Sequence, residues 1–230
     1  MLNLMYKDYY SLSKKDKKRV KDLYYSAFPE EERCPYIILL SKVRKNKADF
    51  FAVYNQDVFV GLVYSIVFGD LVYIYYLAIE YGQRQNGYGS KLLSDMKEMY
   101  INKRIILMAE TLDPTSDNYI ERVNRNKFYK KNGFYYQGYT IYEFGVTYDM
   151  LGCSSTIVKK EDFRELIKNY FGKLAYNKVY VKHSDIEKWV NKKLSLSISE
   201  YGQLFCLTLY FFHCFSAARC NHFSWCIFRG

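Results

Sequence analysis

No stretch of this 230-residue chain has the ~18–20 consecutive apolar residues that a membrane span requires. The nearest candidate, residues 204–218, falls short of that length and is interrupted by His213. No secretory leader is visible: Met1 to Tyr10 is short and runs into the charged stretch KKDKKR, Lys14 to Arg19. The 6 cysteines make no disulfide framework, since Cys34 and Cys153 lie far apart and the other four crowd into the last 25 residues. Cys206, His213, Cys214, Cys220, His222 and Cys226 contain no C-x2-C pair, so a standard zinc finger is not supported and no metal site is expected. Internal repeats, a dense basic arm and an RRM-type aromatic signature are also missing. The expectation is a protein of the reducing cytoplasm, with neither membrane nor nucleic acid as its partner.

What is present is bulk and aromatic content. Half the residues (50%) are hydrophobic, enough for one domain with an appendage or for two small domains. The net charge of +10 favours an anionic partner such as a polyphosphate cofactor, although lysines spread over solvated helix faces explain most of it equally well. The 26 tyrosines and 16 phenylalanines read first as core and sheet packing, since several alternate along strands (Tyr73, Tyr75, Tyr135, Tyr139).

Hydrophobic periodicity predicts helices at Leu12 to Phe28, capped by Ser13, and at Pro35 to Lys45. Strands follow at Phe50 to Tyr54, Val58 to Phe68 and Leu71 to Ile79. A helix is expected to end near Tyr100, followed by a strand at Arg104 to Glu110. The next helix holds Ile120, Val123 and Phe128 and stops at Asn132-Gly133. Phe134 to Tyr142 and Glu143 to Leu151 complete the strands. This order predicts an α/β (mixed α+β) domain over residues 1–151, with a mixed, mostly antiparallel sheet and helices on both faces. Residues 152–194 read as a helical extension packed on that domain. Phe163, Leu166, Ile167, Tyr170 and Phe171 form an apolar stripe there, and Asp185 to Leu194 is a further short helix. Residues 195–230 differ in kind: they contain no lysine and are rich in Cys and Phe. They read as a segment translated out of its original frame, poorly packed or disordered.

The stretch LVYIYYLAIEYGQRQNGYGSKLLSDMKEM, Leu71 to Met99, is a strand, a glycine loop and an amphipathic helix. That arrangement can hold a phosphate on backbone amides at a helix N-terminus. A P-loop is excluded because Tyr88 and Gly89 stand where Lys and Ser/Thr are needed. A Rossmann fingerprint is excluded because Leu92 replaces its third glycine. What remains is R-x-x-G-x-G, Arg84 to Gly89, between LAI and the helix.

In that loop, with LAIEYGQRQNGYGSKLL from Leu77 to Leu93 around it and NKFYKKNGF at Asn126 to Phe134 downstream, the sequence resembles the GNAT superfamily of N-acetyltransferases. The resemblance implies a central strand splayed from its neighbour and acetyl-CoA as co-substrate. The pantetheine arm would then lie along Leu77, Ala78 and Ile79. The pyrophosphate would lie on the loop Arg84, Gln85, Asn86, Gly87, Tyr88, Gly89 and Ser90. Asn124, or Asn118 in another register, would help hold the cofactor. Arg122, Arg125, Lys127 and Lys130 could meet a 3′-phosphate or simply be solvated.

Acetyl transfer to an amine needs a neutral nucleophile, although such amines have pKa ~10.4, and a proton for the departing thiolate. The resemblance makes Tyr129 the candidate general acid and Glu110, at a strand end, the candidate base; a solvated strand-end acid is the alternative reading of Glu110. Glu80 is a weaker choice. Acceptor choice would fall to the loop from Phe28 to Pro35, whose Glu30, Glu31 and Glu32 suit a cationic amine, and to Tyr142-Glu143. The expected function is transfer of acetyl from acetyl-CoA to a primary amine of unnamed identity, small molecule or peptide. A catalytically idle acyl-CoA-binding module is the alternative. The sequence does not give the oligomeric state, a homodimer being one option.

Overall fold

The computed structural model describes residues 2–143, 146–153 and 157–172, and only the backbone of Glu31. The predicted helix at 185–194 and the whole of the Cys/Phe-rich segment 195–230 lie outside the described residues.

Seven strands form one sheet in the spatial order β1-β2-β3-β4-β5-β7-β6. They are β1 (Leu4–Asp8), β2 (Ala48–Asn55), β3 (Val58–Phe68), β4 (Leu71–Ile79), β5 (Arg104–Glu110), β6 (Tyr135–Glu143) and β7 (Val146–Gly152). Every neighbouring pair is antiparallel except β4 and β5, which are parallel. Helices α1 (Lys14–Ala27), α2 (Tyr36–Arg44) and α5 (Lys160–Phe171) cover one face, and α3 (Tyr88–Met99) and α4 (Tyr119–Lys131) cover the other. The mixed, mostly antiparallel sheet with helices on both faces is the fold expected from the sequence. Strand β1 was not foreseen: of its five residues only Leu4 is buried, so it carries no alternating signal.

The burial pattern follows from the sequence. Ser13 caps α1 by accepting from the Asp16 amide at 3.1 Å, and Val20, Leu23, Tyr24 and Ala27 of that helix are buried. In β4, Tyr73, Tyr76 and Ala78 face one core while Val72, Ile74, Leu77 and Ile79 face the other. The alternation jumps by one between Ile74 and Leu77 because Tyr75 is the extra residue of a β-bulge. Tyr64 of β3 sits opposite Tyr76, and Ser65 sits opposite Ile74.

A bulge bends its strand and increases its twist. The consequence shows on the other side of β4. Its parallel pairing to β5 covers only Leu71, Val72 and Tyr73, opposite Arg104, Ile105 and Ile106. Past that point β5 continues along β7, and β4 leaves it. The central strand is therefore splayed, and its last residues present a backbone edge to a gap in the sheet.

Helix α5 is built into this frame. Its Phe163 ring meets Tyr73 of β4 edge-on at 5.4 Å, and the Tyr170 hydroxyl pairs with that of Tyr64 at 2.8 Å. Arg104 bonds Asp162 at 2.7 Å, while Lys42 and Lys47 cap the last carbonyls, those of Tyr170 and Asn169.

Candidate active site

The gap between β4 and β5 is a cavity of about 80 Å³. Ile74, Tyr75 and Leu77 line it from β4, Leu107, Met108, Ala109 and Glu110 from β5, Arg125 and Tyr129 from α4, Phe28 from the start of the acceptor loop expected from the sequence, and Tyr148 from β7. Of the residues singled out from the sequence, Phe28, Leu77, Glu110, Arg125 and Tyr129 meet here. Ala78 and Ile79 continue the same strand, fully buried in opposite cores.

Beyond Ile79 the chain makes a short 3-10 turn, Tyr81–Gln83, and enters the glycine loop. The Arg84 Nε donates back to the Ile79 carbonyl at 3.4 Å, and its guanidinium lies over the Tyr81 ring at 5.0 Å. Asn86 Nδ2 donates to the Gln83 carbonyl at 3.3 Å. Gln85 (φ 64°) and Gly87 (φ 78°) both adopt the left-handed conformation, a costly state for the former that recurs at functional loops. Gly87 is the N-cap of α3 and offers no side-chain cap to the first amides of the helix. Gly89 lets α3 approach α4: a Cβ there would lie 3.2 Å from Phe128 Cζ. The Tyr88 side chain points inward and its hydroxyl accepts from Asn55 at 2.9 Å, so only its backbone belongs to the loop surface. Ser90 is half-buried in the first turn of α3.

Tyr129 is buried, and no hydrogen bond engages its hydroxyl among the described residues. Burial holds the phenol above its ordinary pKa, and the guanidinium of Arg125 pulls it part of the way back. Tyr129 is thus protonated at neutral pH, as a proton donor must be.

Glu110 is 5% exposed and its carboxylate is already engaged. Arg125 holds one oxygen and Arg122 the other, the latter at 3.0 Å. Asn118 Nδ2 lies 3.4 Å from both. Arg122 is itself fixed, donating to Asn118 Oδ1 at 2.7 Å and to the Thr111 carbonyl at 2.9 Å. Asn124, in contrast, is exposed on the far side of α4 and does not line the cavity, and Lys127 and Lys130 share that solvated side. The missed signal was positional: Arg122, Arg125 and Tyr129 fall at i, i+3 and i+7 on one helix face, away from the lysines.

The region where the sequence places the acceptor carries carboxylates. The Tyr24 hydroxyl donates to the Cys34 carbonyl at 2.7 Å, and that of Tyr76 to the Glu32 carbonyl at 2.8 Å, fixing the α1–α2 loop. Glu32 then accepts from the Tyr148 hydroxyl at 3.3 Å. Burial and the negative charges of Glu32, Glu110 and Glu143 together push the Tyr148 phenol up. Glu143 is buried at the end of β6, whereas Glu30 is exposed. Glu80 does not line the cavity. Among the described residues no group of His, Cys, Asp and Glu is arranged to hold a metal ion, and no helix is long and apolar enough to cross a membrane.

The sequence model of the acetyltransferase (GNAT) domain matches residues 46–136, from the start of β2 through the glycine loop to α4 and the start of β6. These residues form a GNAT acetyltransferase domain. A GNAT-family acetyltransferase structure from Bacteroides thetaiotaomicron superposes on the chain with a TM-score of 0.56, at 21% identity over 76% of this chain and 98% of that one. An aminoglycoside 6′-N-acetyltransferase solved with coenzyme A gives 0.51 at 17% identity, covering 68% and 98% of the two chains. The spermidine N-acetyltransferase of Vibrio cholerae, solved with CoA and spermine, gives 0.50 at 16%, covering 65% and 94%. At these identities the likeness is one of fold. No curated protein matches the chain. The GNAT domain of this chain therefore has its splayed strand, glycine loop and buried tyrosine in one place, with the α5 helix added behind β4.

Proposed function

We propose that the protein transfers an acetyl group from acetyl-CoA to a primary amine by direct attack. The observation that carries this reading is the cavity at the β4–β5 splay, lined by both Tyr129 and Tyr148, the latter bonded to Glu32. The pantetheine arm would pair with the free edge of β4 at Leu77, Ala78 and Ile79, adding a strand where β5 has turned away. The pyrophosphate would rest on the amides of Arg84 to Ser90. The thioester then reaches the cavity, where Tyr129 donates its proton to the departing sulfur.

Glu32 and Glu143 give the acceptor side a negative potential, which favours an amine that arrives as a cation. Two of the structural neighbours, a spermidine and an aminoglycoside acetyltransferase, act on polycationic amines, and this chain's acidic mouth fits the same class. The ammonium proton leaves through water at that mouth. Glu110 is assigned a positioning role: both its oxygens hold guanidinium groups, and accepting a proton would break those pairs.

The cofactor half of the proposal is tested by calorimetric titration with acetyl-CoA. Gly87→Ala forces a Cβ into a left-handed position, which costs ~1–2 kcal/mol and moves the α3 amides, so affinity falls about tenfold. Gly82→Ala, in open space and ordinary conformation, binds like the wild type. Equal affinity in all three proteins would remove the loop from the cofactor site.

A further inference from the structure

Arg125 is a charged residue that the sequence placed on a helix face meeting a 3′-phosphate or solvent, yet it is 5% exposed and lines the same cavity as Tyr129. The two stand one helical turn apart on α4, on one face. A buried guanidinium is expensive to desolvate, and structures keep one only where its charge is used or matched. Here Glu110 holds Arg125 on one carboxylate oxygen and Arg122 on the other. Arg122 is further fixed by Asn118 and the Thr111 carbonyl, so the cluster holds Arg125 in one orientation at the cavity wall.

We propose that Arg125, positioned by Glu110, is the cation that stabilises the negative charge passing from the CoA sulfur to the Tyr129 oxygen during acetyl transfer. This rests on the reading of Tyr129 as the acid. In the step, the neutral amine nitrogen forms a bond to the acetyl carbon and the carbon–sulfur bond breaks. The bonding pair leaves on sulfur, and sulfur takes the phenolic proton. The resulting tyrosinate sits beside Arg125 until it regains a proton, through water, from the newly acylated nitrogen. Neither oxidant nor further reactant is needed. The cation acts from a buried side chain, where such a charge is most effective. The raised phenol of Tyr129, partly drawn down by Arg125, is consistent with this coupling.

The test is a double-mutant cycle on Arg125 and Tyr129, read in two ways. The first is turnover with the most reactive amine of a panel of polyamines, aminoglycosides and amino acids, followed by thiol release. Arg125→Met should lower kcat about 100-fold with little change in the KM for acetyl-CoA, and Arg125→Lys should recover part of it. In a Tyr129→Phe background Arg125→Met should cost little more, because the charge it stabilises no longer forms. The second reading needs no acceptor: the thiol of CoA bound to the protein, titrated by thiolate absorbance, should ionise at lower pH in the wild type than in Arg125→Met. Full additivity of the two losses together with an unshifted thiol would overturn the role of Arg125. A Tyr129→Phe protein with normal turnover would instead overturn the acid assignment beneath it. If Arg125→Met does not fold, Glu110→Gln/Arg125→Met removes the buried pair together and the same two readings apply.

Discussion

Glu110 is the residue whose surroundings differ most from the sequence expectation. At the end of a strand it looked like a base reaching toward a substrate amine. In the folded chain its carboxylate is enclosed by Arg122, Arg125 and Asn118, all from α4 and the loop before it. A base and a positioning carboxylate predict different outcomes for Glu110→Gln. A base would take the acidic limb of the kcat/KM profile with it. A positioning residue leaves that limb in place and lowers kcat about tenfold, since the amide still accepts one hydrogen bond from Arg125 but no longer matches its charge. The pH–rate profile of this variant decides between them. Residue-scale chemistry was only partly legible in the sequence. Gly87, Gly89 and Tyr129 are picked out by local spacing, and their proposed roles follow from it. Arg125 and Tyr148 acquire theirs from contacts between distant segments, which no single stretch of sequence records.

Among the elements, β4 and the helix behind it decide the geometry of the site. Strand limits at Val58–Phe68, Leu71–Ile79 and Arg104–Glu110 follow directly from apolar runs bounded by turns. The bulge at Tyr75 does not: in YIYYLAI every residue is apolar or aromatic, so a one-residue slip of register leaves no polar residue on the wrong face to betray it. Strand β1 is hidden for the complementary reason, being an edge strand with one buried side chain. Helix α5 was foreseen as an apolar stripe, but its docking onto Tyr73 and Tyr64 makes it a buttress of the bulged strand. Leu166 of this helix is fully buried. Leu166→Ala should lower stability by about 3 kcal/mol, seen as a lower urea midpoint with an unchanged slope. A change of less than about 0.5 kcal/mol, the range of ordinary surface substitutions, would mean that α5 is not part of the cooperative core.

For the whole molecule, the sheet divides the work. In the proposed reaction the glycine loop and the free edge of β4 would form the donor side, the α1–α2 loop with β6 and β7 an acidic acceptor side, and the cavity at the splay would join them. The net charge of +10 suits a polyanionic donor, while the carboxylates around Tyr148 reverse the local sign for a cationic acceptor. The measurement that tests this account most directly is thiol release from acetyl-CoA across a panel of primary amines, with wild type and Tyr129→Phe run side by side. The account predicts that at least one cationic amine drives release and that Tyr129→Phe reduces it about 100-fold while binding acetyl-CoA as before. Stoichiometric binding of acetyl-CoA with no release for any amine would contradict it and mark the domain as an acyl-CoA-binding module.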